Sequence, residues 1–281
     1  MDTCVWVWGL PFAPLTRAQA LEAVVNLVEA GQPSFFITAN THYAMLTKES
    51  PDLRAINTRA VFVLADGAPL VWASRWKKAP LPERVAGSDL IFDLCGEAAR
   101  CGYRVFLLGG AEGVADEAAR RLAQHHPGLK VVGTESPPYR DLTSEEQDEL
   151  IRRIQFAAPD ILILASTMPR GERWIAANYE RLGVPLCVNL GAGLDFAAGR
   201  IRRAPLRLQK LGLEWAYRMF LEPSRLAPRY ARNARFLLGM VARDLIQGVT
   251  ERLSGPRSPT AELRQPAHGT CALQRDYDTG I

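Results

Sequence analysis

Short apolar runs alternate along the first two thirds of the chain with longer segments of helical period. Val5–Trp8, Phe35–Thr38, Val61–Leu64, Arg104–Leu108, Lys130–Gly133, Ile161–Ala165 and Leu186–Leu190 are rich in apolar and β-branched residues with little polar alternation, the pattern of strands covered on both faces. Between them, Thr16–Ala30, Asp52–Thr58, Ala68–Trp76, Ser88–Arg100, Val114–His125, Ser144–Phe156 and Glu172–Leu182 read as helices. Pro127, Gly128, Pro137, Pro138, Pro159 and Gly183 punctuate the elements. This alternation predicts an α/β domain with a Rossmann-like, mostly parallel sheet and flanking helices. After Pro205 the strand pattern stops. Two helical segments follow, about Leu206–Leu221 and Ser224–Leu253, the second with Tyr230, Ala234, Leu237 or Leu238, Val241 and Leu245 near one face. From Ser254 the chain turns polar and rich in Pro and Gly, the composition of a disordered tail. The expected organisation is therefore a core over 1–204, a basic amphipathic helical C-terminal arm over 205–253 and a tail over 254–281.

Charge sharpens this picture. The net charge of +4 is mild, but the region after residue 199 is strongly basic. Between Arg200 and Arg235 stand Arg202, Arg203, Arg207, Lys210, Arg218, Arg225, Arg229 and Arg232, opposed only by Glu214 and Glu222. Leu211, Leu213, Trp215, Tyr217, Met219 and Phe220 are interleaved with them. A solvated helix face would explain the charge but not the aromatic residues beside it. Nucleic-acid binding would explain the arginines, yet no helix-turn-helix, zinc-finger or RNP pattern accompanies them. Arginines for diphosphate and anionic headgroups, with Leu and aromatic side chains for the acyl boundary, fit the whole segment best.

The remaining composition removes other classes. The five cysteines (Cys4, Cys95, Cys101, Cys187, Cys271) form no CxxC, and the four histidines add no metal-ligand spacing. No run approaches the ~20 apolar residues of a membrane span, and the N-terminus has no basic signal-peptide start. The expectation is a cytoplasmic protein attached peripherally to the inner face of the membrane, with no metal and no cofactor.

Candidate chemistry follows the strands. Thr38 and Asn40 come after one, Asp66-Gly67 after the next, Gly109-Gly110 after another, and Ser166-Thr167, Gly191, Gly193 and Asp195 close the series. In open α/β sheets such positions converge on one crevice. Asp66 is either a general base or the N-cap of the helix from Ala68. Thr38 and Asn40 either line a ligand pocket or cap a helix. Arg84 faces either a ligand or solvent, with Ser88 or Asp89 capping the helix that follows. Gly109 and Gly110 either admit a phosphate to backbone N–H groups or merely turn the chain; they belong to neither GxGxxG nor a P-loop, which weighs against a nicotinamide-dependent oxidoreductase. His42 reads as a satisfied partner of other groups.

Thr38-Ala39-Asn40, Ala65-Asp66-Gly67, Arg84-Val85-Ala86-Gly87-Ser88-Asp89, Leu108-Gly109-Gly110, Pro137-Pro138-Tyr139 and the long GRIRRAP…LGLEWAYRMFLEPSRL stretch together resemble the WecG/TagA/CpsF glycosyltransferases, over roughly Phe35 to Phe236. The resemblance implies an inverting, metal-independent enzyme of bacterial surface polysaccharide synthesis. Such an enzyme moves N-acetylmannosamine or a related hexose from a UDP-sugar donor to a sugar on a polyprenyl diphosphate. It implies Asp66 as base, Thr38 and Asn40 in the sugar pocket, Arg84 near the active site, Asp195 near the nucleotide, and Arg218 and Arg225 on an arm that closes over the site and touches an anionic membrane. Two departures stand out. The family's Gly-x-Pro-x-Gln-Glu is Thr167-Met168-Pro169-Arg170-Gly171-Glu172 here, and Asn189-Leu190-Gly191 stands where the family reads Gly-Val-Gly. No nucleic-acid partner is expected, and a homo-oligomer in which the arm docks on a neighbour stays open. So does a non-catalytic α/β module that uses its arginines on a membrane or nucleic acid.

Overall fold

The structure, a computed structural model, describes residues 4–75, 80–205, 207–208, 214–221 and 223–253, with the side chains of 218, 225 and 247–253 outside that description. Eight strands form one sheet: β1 (Val5–Val7), β2 (Leu10–Phe12), β3 (Ser34–Ala39), β4 (Val63–Ala65), β5 (Arg104–Gly109), β6 (Lys130–Glu135), β7 (Ile161–Ala165) and β8 (Leu186–Asn189). Their order is β1-β2-β4-β3-β8-β7-β5-β6. Only β1, paired with β2, runs antiparallel; every other pairing is parallel. The Rossmann-like architecture read from the pattern of apolar runs is the one observed.

The helices of the core are α1 (Arg17–Ala30), α2 (Thr41–Glu49), α3 (Pro51–Arg59), α4 (Ala68–Ser74), α5 (Gly87–Cys101), α6 (Val114–His125), α7 (Ser144–Ala157), α8 (Arg170–Leu182) and the short α9 (Gly193–Ala197). Strand residues alternate strictly between two cores. Phe35, Ile37, Phe106, Leu108, Leu162, Leu164 and Cys187 join α2, α3, α4, α7 and α8 on one face. Phe36, Val105, Leu107, Ile161, Ile163, Leu186 and Val188 join α1, α5, α6 and α9 on the other. This double covering is why the central strands lack a polar face. Local chemistry starts the helices where expected: Thr16 with Gln19, and Thr143 with Glu146, close reciprocal capping boxes at α1 and α7.

Four sequence expectations are corrected. The strand expected over Val5–Trp8 turns back on itself: Trp8 takes φ 51, and β2, absent from the predicted elements, follows with Pro11 opposite Trp6 near the sheet edge. The α2 helix was absent from the predicted elements, because its buried residues Tyr43, Ala44, Met45 and Thr47 do not form a single stripe. The helix after Arg84 starts at Gly87 with Ala86 in the N-cap position and no side-chain cap, so neither Ser88 nor Asp89 caps it. In the long arm helix (Pro223–Leu253) the inward residues are Leu226, Asn233 and Met240, whereas Leu238 and Leu245 of the expected apolar face point outward. That helix packs in cis on α2 and the N-terminal hairpin: Phe236 meets the Trp8 ring edge-on at 5.9 Å, and Trp8 Nε1 donates to Asp244 at 3.0 Å. The expected tail over 254–281, Cys271, and much of the first arm segment lie outside the described residues.

Gly109 shows how tightly the strand ends are packed. Its φ is 104°, and a Cβ there would lie 3.0 Å from the Ala165 carbonyl carbon on β7 and closer still to its oxygen. Gly109→Ala is accordingly expected to cost about 1–3 kcal/mol, the range of overpacked sites, read as a lower denaturant midpoint with an unchanged slope.

Candidate active site

Because β2 to β8 run parallel, their carboxyl ends all emerge at one edge. The chain leaves β5 for the outer strand β6 but leaves β7 inward for β8, so a crevice opens between diverging connections. A cleft of about 1620 Å³ lies there. Thr38, Asn40, Asp66, Arg84, Gly109, Gly110 and Asp195 all line it, together with Gly67, Ser166, Thr167 and Gly191, whereas Gly193 of the same series does not. The side chains of Arg218 and Arg225 lie outside the described residues. The arm nevertheless reaches the cleft through Glu214 and Trp215 of its first helix (Glu214–Leu221) and through Leu226, Arg229, Tyr230, Asn233 and Leu237 of its second.

Asp66 follows β4 directly. Gly67, not Asp66, occupies the N-cap position of α4, and no side chain caps that helix; the capping alternative is thereby removed. The Asp66 carboxyl opens partly to the cleft and receives the Gly87 backbone N–H. Burial among protein atoms pushes it up to about 7. Arg84 pulls it down, while Glu214 and Asp89 push it further up. A carboxyl group balanced near neutrality takes up and releases protons at working pH.

Around it the charges form a closed set. Arg84 Nη2 lies 3.6 Å from Glu214 Oε2, and Arg203 Nε lies 3.7 Å from Glu214 Oε1. Arg203 also pairs with Asp89 at the start of α5 and sits over the Phe196 ring. Arg84 is thus no surface residue, and Glu214, which the sequence showed only as an exception within a basic run, joins the arm to both arginines. Thr38 Oγ1 donates to the Asn189 carbonyl at 3.4 Å. Asn40 does cap a helix: its Oδ1 accepts from His42 N at 3.0 Å and Tyr43 N at 3.1 Å, while its Nδ2 turns toward Met168 Sδ at 3.6 Å. His42 meets the arm, with Nδ1 3.0 Å from Asn233 Oδ1. Burial and the nearby Arg229 hold its pKa below the ordinary value, as suits a neutral partner. Gly110, at φ 77°, abuts Val114, and Gly113 in the left-handed region leads into α6. The glycines therefore turn the chain and also line the cleft.

The contact between two buried residues, Glu172 and Asn189, escaped the sequence reading. Glu172 accepts from Asn189 Nδ2 at 2.8 Å through Oε1, and its Oε2 is without a hydrogen-bond partner among the described residues. Burial pushes this carboxyl up to about 7. Nothing in a lone Gly-Glu pair signals such a contact. The energetic sign is definite: an acid harder to ionise when folded makes stability fall as pH rises from the unfolded carboxyl range near 4 toward 7. Glu172→Gln is expected to flatten that decline, measured as denaturant midpoint against pH beside the parent protein. An unchanged slope would remove Glu172 as its source.

No helix among the described residues is long and apolar enough to cross a membrane. Against known proteins, the chain is 30% identical over 198 residues to the N-acetylglucosaminyldiphosphoundecaprenol N-acetyl-beta-D-mannosaminyltransferase of Bacillus spizizenii, covering 70% of this chain and 75% of the relative. It is 30% identical over 226 residues to the identically named enzyme of Staphylococcus aureus, covering 78% and 85%. The profile of one family matches residues 5–249, nearly the whole of the sheet, the cleft and the arm, and the chain belongs to that family, the WecG/TagA/CpsF glycosyl transferases.

Proposed function

We propose that this glycosyltransferase moves N-acetylmannosamine or a related hexose from a UDP-sugar to a sugar carried on a polyprenyl diphosphate, with inversion, in the synthesis of a bacterial surface polysaccharide. The observation that carries this reading is Asp66, a carboxyl pushed up to about 7 beside Arg84 in a cleft of about 1620 Å³. That volume exceeds the ~300–1,000 Å³ of single small-ligand pockets, which suits two sugars and a diphosphate. The names of the relatives supply the substrate class, a mannosaminyl donor and a lipid-linked N-acetylglucosaminyl acceptor.

In this mechanism Asp66 takes the proton of an acceptor hydroxyl. The oxygen attacks the anomeric carbon from the face opposite UDP, the bond from that carbon to the β-phosphate oxygen breaks, and its electron pair leaves with the diphosphate. Arg84 and Arg229 line the cleft where this charge grows, and Arg218 and Arg225 are assigned to the same task. Fixed cations and N–H groups in a dry site stabilise such charge without reorganising. Thr38 and Asn40 hold the donor sugar, Gly109 and Gly110 admit the diphosphate, and Asp195 faces the nucleotide. No metal ion is assigned to the reaction.

The arm would also carry the protein to its lipid substrate. Phe220 is 84% exposed and Leu238 72%, the latter on a helix that carries Arg225, Arg229, Arg232, Arg235 and Arg243. Apolar side chains of this kind enter the acyl boundary while the cations meet anionic headgroups. The organisation into a core over 1–204 and a membrane-associating arm over 205–253 belongs to the same reading, with the enzyme on the cytoplasmic face.

Two experiments test it. With UDP-N-acetylmannosamine and a lipid-linked N-acetylglucosamine acceptor, kcat/KM should rise with pH through about 7 as Asp66 loses its proton, and Asp66→Asn should lose roughly 10²–10⁴-fold in turnover in the presence or absence of chelator. A folded Asp66→Asn enzyme of near-full activity would refute the assignment. Phe220→Asp/Leu238→Asp should lower sedimentation with vesicles containing phosphatidylglycerol while leaving the melting temperature unchanged. Equal sedimentation would detach the arm from membrane binding.

A further inference from the structure

Two of the positions at which this chain departs from the family pattern, Gly171 in the first motif and Asn189 in the second, touch each other. A Cβ built on Gly171 would lie 2.5 Å from the amide carbon of Asn189 and 2.9 Å from its Oδ1, and closer still to Nδ2. The carboxamide of Asn189 therefore fills the volume in which any side chain at 171 would begin. Gly171 is glycine because β8 has already placed an amide there.

Every polar atom of that amide is engaged. Oδ1 accepts from the backbone N–H of Ser166 at 3.0 Å and of Gly191 at 3.3 Å. Nδ2 donates to Glu172 Oε1 at 2.8 Å. Two backbone donors on one side and a carboxyl oxygen on the other fix the orientation of the amide, since only oxygen can face the N–H pair. The main-chain carbonyl of Asn189 takes the Thr38 hydroxyl as well. One residue thus ties the ends of β3, β7 and β8. Asn189 is itself buried beneath the cleft, yet Thr38, Ser166, Thr167, Leu190 and Gly191, which it holds or adjoins, all line the cleft.

We propose that Asn189 is a positioning residue of the transfer reaction. Its carboxamide, wedged against Gly171, sets the spacing of three strand ends that shape the sugar pocket, and the Gly171–Asn189 pair places from β8 the amide that a glutamine at 171 would bring from α8. The inference rests on the reading that this cleft is where transfer occurs. Asn189→Leu keeps the volume but removes the side-chain hydrogen bonds, leaving the loops after β7 and β8 free to shift.

The test uses the full-length enzyme and three variants. Asn189→Leu should lose roughly 10²-fold in kcat/KM, as expected when reacting groups move by about 1 Å, with KM for the donor raised. Gly171→Gln alone, forced against the resident amide, should lose as much. Gly171→Gln/Asn189→Gly should recover to within about tenfold of the parent, a strongly non-additive cycle. A substrate-free readout accompanies these: amide hydrogen exchange at Ser166 and Gly191 should be slow in the parent, fast in Asn189→Leu and slow again in the double variant. Additive losses in the double variant overturn the proposal, as does an Asn189→Leu enzyme with the parent's kcat, KM and exchange. If the single variants do not fold, the double variant's turnover and exchange decide. If the parent itself transfers no sugar, the assigned function fails, while the exchange pattern still decides whether Asn189 holds the loops.

Discussion

Both faces of the sheet are sealed by helices, so polar groups of the central strands can reach solvent only at the strand ends. This constraint governs everything else. Phe35, Ile37 and Leu162 serve one core, Phe36, Ile163 and Val188 the other, and no side chain between them is left for chemistry. With seven strands parallel, the ends at which Asn40, Asp66, Gly110, Ser136, Ser166 and Leu190 emerge coincide. The cleft is thus a consequence of strand direction before it is a consequence of any one residue.

The arm closes what the sheet leaves open. It brings one carboxylate, Glu214, against Arg84 and Arg203, and raises the Asp66 carboxyl further by proximity. Burial remains the larger influence on Asp66. The electrostatics of the cleft therefore join two parts of the chain that composition divides sharply, a mixed-charge core and a basic C-terminal region. Arg203, within the basic run, does structural work: it clamps the first turn of α5 to the arm and rests on Phe196. Not every arginine of the run is available to a phosphate.

Much of this was legible beforehand, for identifiable reasons. Continuous apolar runs announced the parallel strands, and the residues just after them announced the cleft, because topology alone brings strand ends together. Asp66 was ambiguous because an Asp just before a helix so often caps it; Gly67 takes the cap position, which removes that alternative. The α2 helix escaped because Tyr43, Ala44 and Met45 are buried in succession, which blurs its period. The face of the long arm helix was misplaced because Asn233 is buried against His42 while Leu238 is exposed, the reverse of what polarity suggests. Glu172 and Asn189 were seen only as members of the two departing motifs, because their meaning lies in a contact 17 positions apart, across two elements.

The bond between Trp8 and Asp244 spans 236 positions, and it has a consequence for biosynthesis. The hairpin of β1 and β2 emerges from the ribosome long before the helix that covers it, Trp8 preceding Asp244 by 236 positions. Until then Trp8, α2 and the arm side of the cleft stand without their cover, since closing so long a loop must await residue 244. The wall of the cleft that the arm supplies is thus completed last, and a nascent chain stalled before residue 244 holds a nearly finished sheet without its cover.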